Sequence, residues 1–244
     1  MACALCGEDK QLRDSHIIPE FVFKQLYDTK HRFHVLSTLP KRARPLEQKG
    51  IREPLLCDDC EQRFSVNERY ARGVLLGGTE ITVRHRGQYL ELSNLDYNRF
   101  KLFQMSILWR ASVAKHTLFS RVKLGPHEQA LQKMLLEENP GTQQQYSCLV
   151  MGLKSENGIQ KDFIDQPTRL RIDGRIAYRF IFAGFMWVYY VSSQGLPAAL
   201  RQIILNEAGE MKVWIGRFED IGYLRDFGVR LMQMGRMATP TEVV

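Results

Sequence analysis

Two Cys-x-x-Cys pairs, Cys3/Cys6 and Cys57/Cys60, carry the plainest chemistry in this sequence. A two-residue spacer forms a tight turn that aims both thiolates at one point, and two such knuckles supply the four sulfur ligands of a tetrahedral metal site. One pair alone could equally be a redox motif. With two, the expectation is a structural Zn2+, because disulfides do not persist in a reducing cytosol. The fifth cysteine, Cys148, lies in the apolar run YSCLVMGL and reads as a small buried hydrophobe.

Beside each knuckle stands a residue able to handle protons or cations. His16 follows Cys6 by ten positions, in RDSHIIPEF, and Glu61 directly follows Cys60. A zinc that held both knuckles would clamp the segment carrying His16 against the one carrying Glu61. A histidine and a carboxylate so placed suit metal-assisted hydrolysis: neutral imidazole takes a proton from water while the carboxylate holds a divalent cation beside a scissile phosphate. The zinc would then be scaffold, and the catalytic metal a separate Mg2+ or Mn2+ with oxygen ligands. The plainer alternative for a histidine flanked by isoleucines is a core or surface residue with no chemistry. A role as fifth zinc ligand is disfavoured, since four thiolates complete the tetrahedron.

The strings CALCG, DSHIIP and EPLLCDDCE together resemble the HNH endonuclease superfamily in its zinc-bound treble-clef form, over about Cys3 to Tyr70. The resemblance extends to bacterial HNH-like proteins and implies a strand-strand-helix (ββα-metal) finger that cleaves phosphodiester bonds, in DNA or less often RNA, with a divalent metal. It implies His16 as general base and Glu61 as metal ligand. Two positions depart from the pattern. Arg52 and Glu53 stand where the middle asparagine is expected, and Ser15 stands where an acidic residue is expected, with Asp14 alternating to the opposite strand face. Asp14 and Glu53 are therefore the further candidate ligands of the catalytic metal. Glu68, seven residues after Glu61, either joins that site or pairs with Arg72 at i+4.

The formal net charge is +7, which favours acidic partners. Lys30 to Arg52 contains seven Lys and Arg against one acid, Glu47. In it Lys41, Arg42, Arg44, Lys49 and Arg52 are candidate contacts to a phosphate backbone, the double-stranded DNA of a nuclease being the expected partner. A solvated loop is the competing reading. No apolar run reaches the roughly 18 to 20 residues of a membrane span, and MACALCGEDK lacks the regions of a signal peptide. The expectation is a cytoplasmic protein with no membrane contact.

The elements that must position these residues follow from pattern. LRDSHII reads as a strand, PEFVFKQLY as a helix opened by Pro19, and a second helix begins near Cys60. Beyond about Gly78 the texture changes: TEITVRHRGQYLEL reads as a hairpin, and a long helix capped by Asp96 follows. PHEQALQKMLLEE is helical, LRIDGRIAY and IILNEAGEMKVWI are hairpins, and FIFAGFMWVYYV suits buried strands. EDIGYLRDFGVRLMQM is a final helix and ATPTEVV a frayed tail. The fold class is α+β: residues 1–78 form a zinc-braced finger with a basic insert, and 79–244 a mixed α+β domain with antiparallel hairpins, of unassigned role and a candidate homodimer surface.

Two function classes compete. One is a metal-dependent HNH-type endonuclease, by analogy serving bacterial antiviral defence or a mobile element. The other is a zinc-stabilised module that binds nucleic acid or protein without catalysis.

Overall fold

The computed structural model describes residues 1–35, 46–156, 158–192 and 195–233. Of the expected phosphate contacts, Lys41, Arg42 and Arg44 lie outside the described residues, as does the ATPTEVV tail.

The chain opens with the first knuckle, a turn in which Gly7 (φ 76°) lets its N–H reach the Cys3 carbonyl at 2.9 Å. Then come β1 (Leu12–His16), the short α1 (Glu20–Phe23), the two-stranded pair β2 (Arg32–His34) and β3 (Leu46–Gln48), β4 (Arg52–Cys57) and α2 (Asp58–Leu76). Strands β1 and β4 pair antiparallel, from Leu12 opposite Cys57 to His16 opposite Arg52. The register shifts between Arg13 and Asp14, which leaves Leu55 outside the pairing and Leu56 without a ladder acceptor. Ser15, 1% exposed, fills the gap: its hydroxyl accepts from Leu56 N–H at 3.0 Å, while the Leu55 carbonyl accepts from Ala4 N–H and ties the first knuckle to β4. A short hydroxyl, not a carboxylate, is what that buried bulge admits.

The remainder begins with the hairpin β5 (Thr82–Arg86) and β6 (Tyr89–Ser93), then α3 (Tyr97–Val113) and α4 (Pro126–Leu136). Asp96 caps α3 as expected, accepting from Arg99 N–H at 3.0 Å, and Pro126 opens α4. Strands β7 (Cys148–Ser155), β8 (Gly158–Ile159), β9 (Asp165–Ile172), β10 (Arg175–Phe182) and β11 (Phe185–Val191) follow, then α5 (Ala198–Arg201), β12 (Met211–Arg217) and α6 (Gly222–Gln233). They build one sheet in the order β5-β6-β12-β7-β11-β10-β9, with β8 added on β7. Its pairings are antiparallel except β12 with β7. The protein is mixed α+β with a four-cysteine cluster near its N-terminus.

The expected hairpin in IILNEAGEMKVWI has only its second arm as a strand. Pro197 sets the φ of a helical turn, so Ile203 and Ile204 continue α5 as turns onto the Leu200 carbonyl, and Ile204 and Leu205 go into the core. The helix expected in PEFVFKQLY ends at Phe23 and continues as turns.

Helix α3 is buried on all sides, between α2 and the sheet. Phe64 of α2 meets Trp109 edge-on, and Phe100 and Phe103 meet Trp187 of β11. One hydrophobic core therefore runs from Cys3 and Leu5 through α3 to Met211 and Val213, across the boundary expected near residue 78. Among the described residues no helix is long and apolar enough to cross a membrane.

Candidate metal centre and histidine site

The β1–β4 bulge and the start of α2 bring the two knuckles together. The four sulfurs of Cys3, Cys6, Cys57 and Cys60 lie within 4.8 Å of one another, with Cys6 and Cys57 at 3.9 Å. Zn–S bonds of about 2.3 Å in a tetrahedron place sulfurs about 3.8 Å apart, so the cluster fits zinc in donor type and spacing. Cys57 N–H donates to Cys3 Sγ at 3.3 Å, which favours a thiolate there. Burial pushes the Cys3 thiol up, but backbone hydrogen bonds from Cys6, Cys57 and Leu5 outweigh it and bring it down to about 7; burial pushes Cys60 up instead. Lys10 to Asp59 at 2.9 Å and Arg13 to Asp58 at 2.6 Å pin the knuckle strand to the first turn of α2 from outside. Cys148 is buried elsewhere in the core, as expected of a small hydrophobe.

His16 ends β1 opposite Arg52. Its Nε2 lies 3.2 Å from the Lys49 carbonyl, and a carbonyl only accepts, so this contact assigns the proton to Nε2 and leaves the Nδ1 lone pair free. Burial lowers the pKa of His16 below the ordinary histidine value and the positive charge of Arg52 adds to it, against Glu20 and the Lys49 carbonyl. Burial and the Arg52 charge both favour the neutral imidazole. Gly50 makes this placement possible: its φ is +68°, and a Cβ there would lie 2.8 Å from Phe23 Cδ2 and 3.2 Å from His16 Cδ2. The sequence reading passed over Gly50, although the KG pair just before a strand is its signal.

Glu61 sits in the first turn of α2, and its Oε1 is buried with no hydrogen-bond partner. Glu68 does not pair with Arg72; its carboxylate meets Arg110 of α3 at 2.6 Å. Arg110, 1% exposed, donates to the His16 carbonyl at 2.7 Å, to the Ser106 carbonyl and hydroxyl at 3.3 Å each, and lies over the Phe64 ring at 5.3 Å. It binds the end of β1 to α2 and α3 at one point. Burial pushes the Glu68 carboxyl up, opposed by Arg110 and reinforced by Glu61. A single arginine inside the apolar run FQMSILWRASV was the available signal for this residue, and the sequence reading did not use it.

The remaining candidates are placed as follows. Asp14 is paired with Arg52 at 3.4 Å, and Glu53 accepts from Lys115 N–H through both oxygens, at 2.8 and 3.1 Å. Lys49 is exposed, and Arg52 is partly buried beside Asp14. Among the described residues, no hydrogen bond or ion pair joins His16 to Glu61. Among the described residues, the four cysteines are the one group of three or more His, Cys, Asp or Glu close enough to share an ion. The structure thus brings the four cysteines together, and it presents separately an oriented imidazole at His16 and a buried, unpartnered carboxylate oxygen at Glu61.

Comparison with known proteins adds no identity: no family model, no curated protein and no solved structure matches this chain.

Proposed function

We propose that the protein is a zinc-braced, HNH-type endonuclease that hydrolyses phosphodiester bonds in nucleic acid, DNA in the first instance, with β1, β4 and α2 as a treble-clef ββα-metal finger. The observation that carries this reading is His16: a half-buried imidazole of lowered pKa whose Nε2–H is held on the Lys49 carbonyl, at the end of a strand tied through the knuckles to α2. That bond leaves Nδ1 to take a proton, as a general base requires.

In this account His16 Nδ1 takes a proton from water while its Nε2–H stays on the Lys49 carbonyl. Gly50 and Phe23 fix the ring plane, and Arg110 fixes the backbone that carries it. Glu61 would hold Mg2+ or Mn2+ through its unpartnered oxygen. A hard cation of this kind commonly takes one or two protein carboxylates and completes its shell with substrate phosphate and water, so a site without three protein ligands is compatible with it. When bound, that cation supplies Lewis-acid stabilisation of the phosphate. Lys49 and Arg52 offer positive charge to the backbone at the same end of the hairpin.

A second reading, a zinc-stabilised nucleic-acid-binding or interaction module without catalysis, is favoured by Asp14 and Glu53, whose carboxylates are engaged by Arg52 and Lys115 N–H. Incubating supercoiled plasmid with the zinc-loaded protein and Mg2+ or Mn2+ separates the two. The nuclease reading predicts nicking by the wild type and its loss in His16→Ala and Glu61→Gln. Equal nicking by all three rejects His16 and Glu61 as the cleaving groups, and none by the wild type supports the second reading.

A further inference from the structure

Several exposed cations beyond the finger have no ion partner among the described residues, and four of them, Lys115, Lys123, Arg169 and Arg171, lie on connected segments that start beside it. They are neighbours through recorded contacts. Lys115 follows the end of α3, and its N–H is held by Glu53 of β4, next to Arg52. The chain then turns through Thr117–Phe119, where the Thr117 carbonyl meets Gln166 Nε2 of β9. Lys123 is fixed by Tyr178, whose hydroxyl bonds both its backbone groups, and Tyr178 of β10 is the cross-strand partner of Arg169.

Facing residues in an antiparallel pair project to the same side. Arg169 thus shares the sheet face of Tyr178, and Arg171, two residues on, shares it with Ile176. Leu170 and Ile172 alternate to the other face, where they pack beneath Leu196 and Leu200. Of the acids nearby, Asp165 is paired with Arg179 at 3.8 Å and Glu53 accepts from Lys115 N–H, while Asp173 stands exposed in the β9–β10 turn. Positive side chains outside any ion pair thus run from beside Arg52 to the edge strand of the main sheet.

We infer that Lys115, Lys123, Arg169 and Arg171 form a track for a nucleic-acid backbone, leading from the His16 end of the finger along the connection after α3 to the edge strand β9. The inference rests on the nuclease reading for its occupant and extends it: the sheet domain then shares in holding the substrate that the finger cuts. Exposed cations outside ion pairs suit a polyanion, and such contacts release counterions, which makes their number measurable. Arg169 and Arg171 on an edge strand also keep that edge from pairing with another chain, which argues against a second copy as the occupant.

The test is the salt dependence of binding to a fluorescein-labelled DNA duplex, measured by anisotropy with the zinc-loaded full chain and no Mg2+ or Mn2+. The track variant is Lys123→Gln/Arg169→Gln/Arg171→Gln. The control removes the same charge elsewhere: Arg84→Gln on the opposite edge strand β5, Lys154→Gln and Arg201→Gln, all exposed. Each lost phosphate contact reduces the slope of log K against log[salt] by about 0.9. The track variant should therefore lose about 2 to 3 from its slope, and the control less than 1. Equal slopes in all three proteins, or equal losses in both variants, overturn the track and leave the nuclease reading standing. A wild type that does not bind DNA at low salt overturns both.

Discussion

Replacing Arg110 tests the join between the finger and α3 most sharply. Its guanidinium is 1% exposed and holds the Glu68 carboxylate at 2.6 Å and the His16 carbonyl at 2.7 Å. Arg110→Met keeps most of the side-chain volume and leaves Glu68 facing an apolar wall. Breaking a buried pair from one side costs about 3 to 5 kcal/mol. Glu68→Met, which leaves Arg110 its bonds to His16 and Ser106, should cost somewhat less, about 2 to 3 kcal/mol. The double variant removes both charges and loses mainly the charge-assisted bond to the His16 carbonyl, about 2 kcal/mol. The three values predict a coupling of at least about 2 kcal/mol, read from urea denaturation of the zinc-loaded protein at neutral pH. Additivity within about 0.5 kcal/mol would refute the claim that the two side chains act as one buried pair.

Four further outcomes follow from the same geometry. Because burial raises the folded-state pKa of Glu68 above its unfolded value, the increment from that shift is fully present below about pH 4.5 and is lost as pH rises through the raised value, leaving the Arg110 contact at neutral pH; Glu68→Gln should flatten that part of the stability–pH curve. His16 has the opposite arithmetic for a base: its folded pKa is lowered, so the acid limb of the cleavage rate should fall below the ordinary histidine range of about 6.5, and a limb at or above it would contradict a buried imidazole. Gly50→Ala should cost about 1 to 3 kcal/mol by urea denaturation and reduce cleavage, because the new Cβ meets Phe23 and His16 at a positive φ. Stripping the metal with a strong chelator, or Cys60→Ser, should abolish the cooperative unfolding transition of the finger, seen by near-UV circular dichroism.

Much of this arrangement was legible in the sequence, and the reason is locality. The knuckles announce themselves by a fixed spacing of two residues, and Asp173-Gly174 marks the β9–β10 turn because few other pairs accept its backbone. Asp96 and Pro126 mark helix starts by the same logic of short-range chemistry. What escaped depends on contacts far apart in the chain. Nothing near Glu68 says that its partner is Arg110 and not Arg72, and nothing near Ser15 says that a bulge at Leu55 will need its hydroxyl. The boundary expected near Gly78 reflects a change of texture, yet α3 carries one core through both halves, because a helix buried on every side must be covered by both.

The central claim is that His16 and Glu61 frame a divalent-metal site distinct from the four-sulfur cluster. Crystals of the zinc-loaded protein with a short DNA oligonucleotide, soaked in Mn2+ and measured at the manganese edge, test it directly. The account predicts an anomalous peak at the Glu61 carboxylate, beside a phosphate and on the His16 side of the hairpin. Manganese density confined to the four-cysteine site, or found nowhere near Glu61, would contradict it.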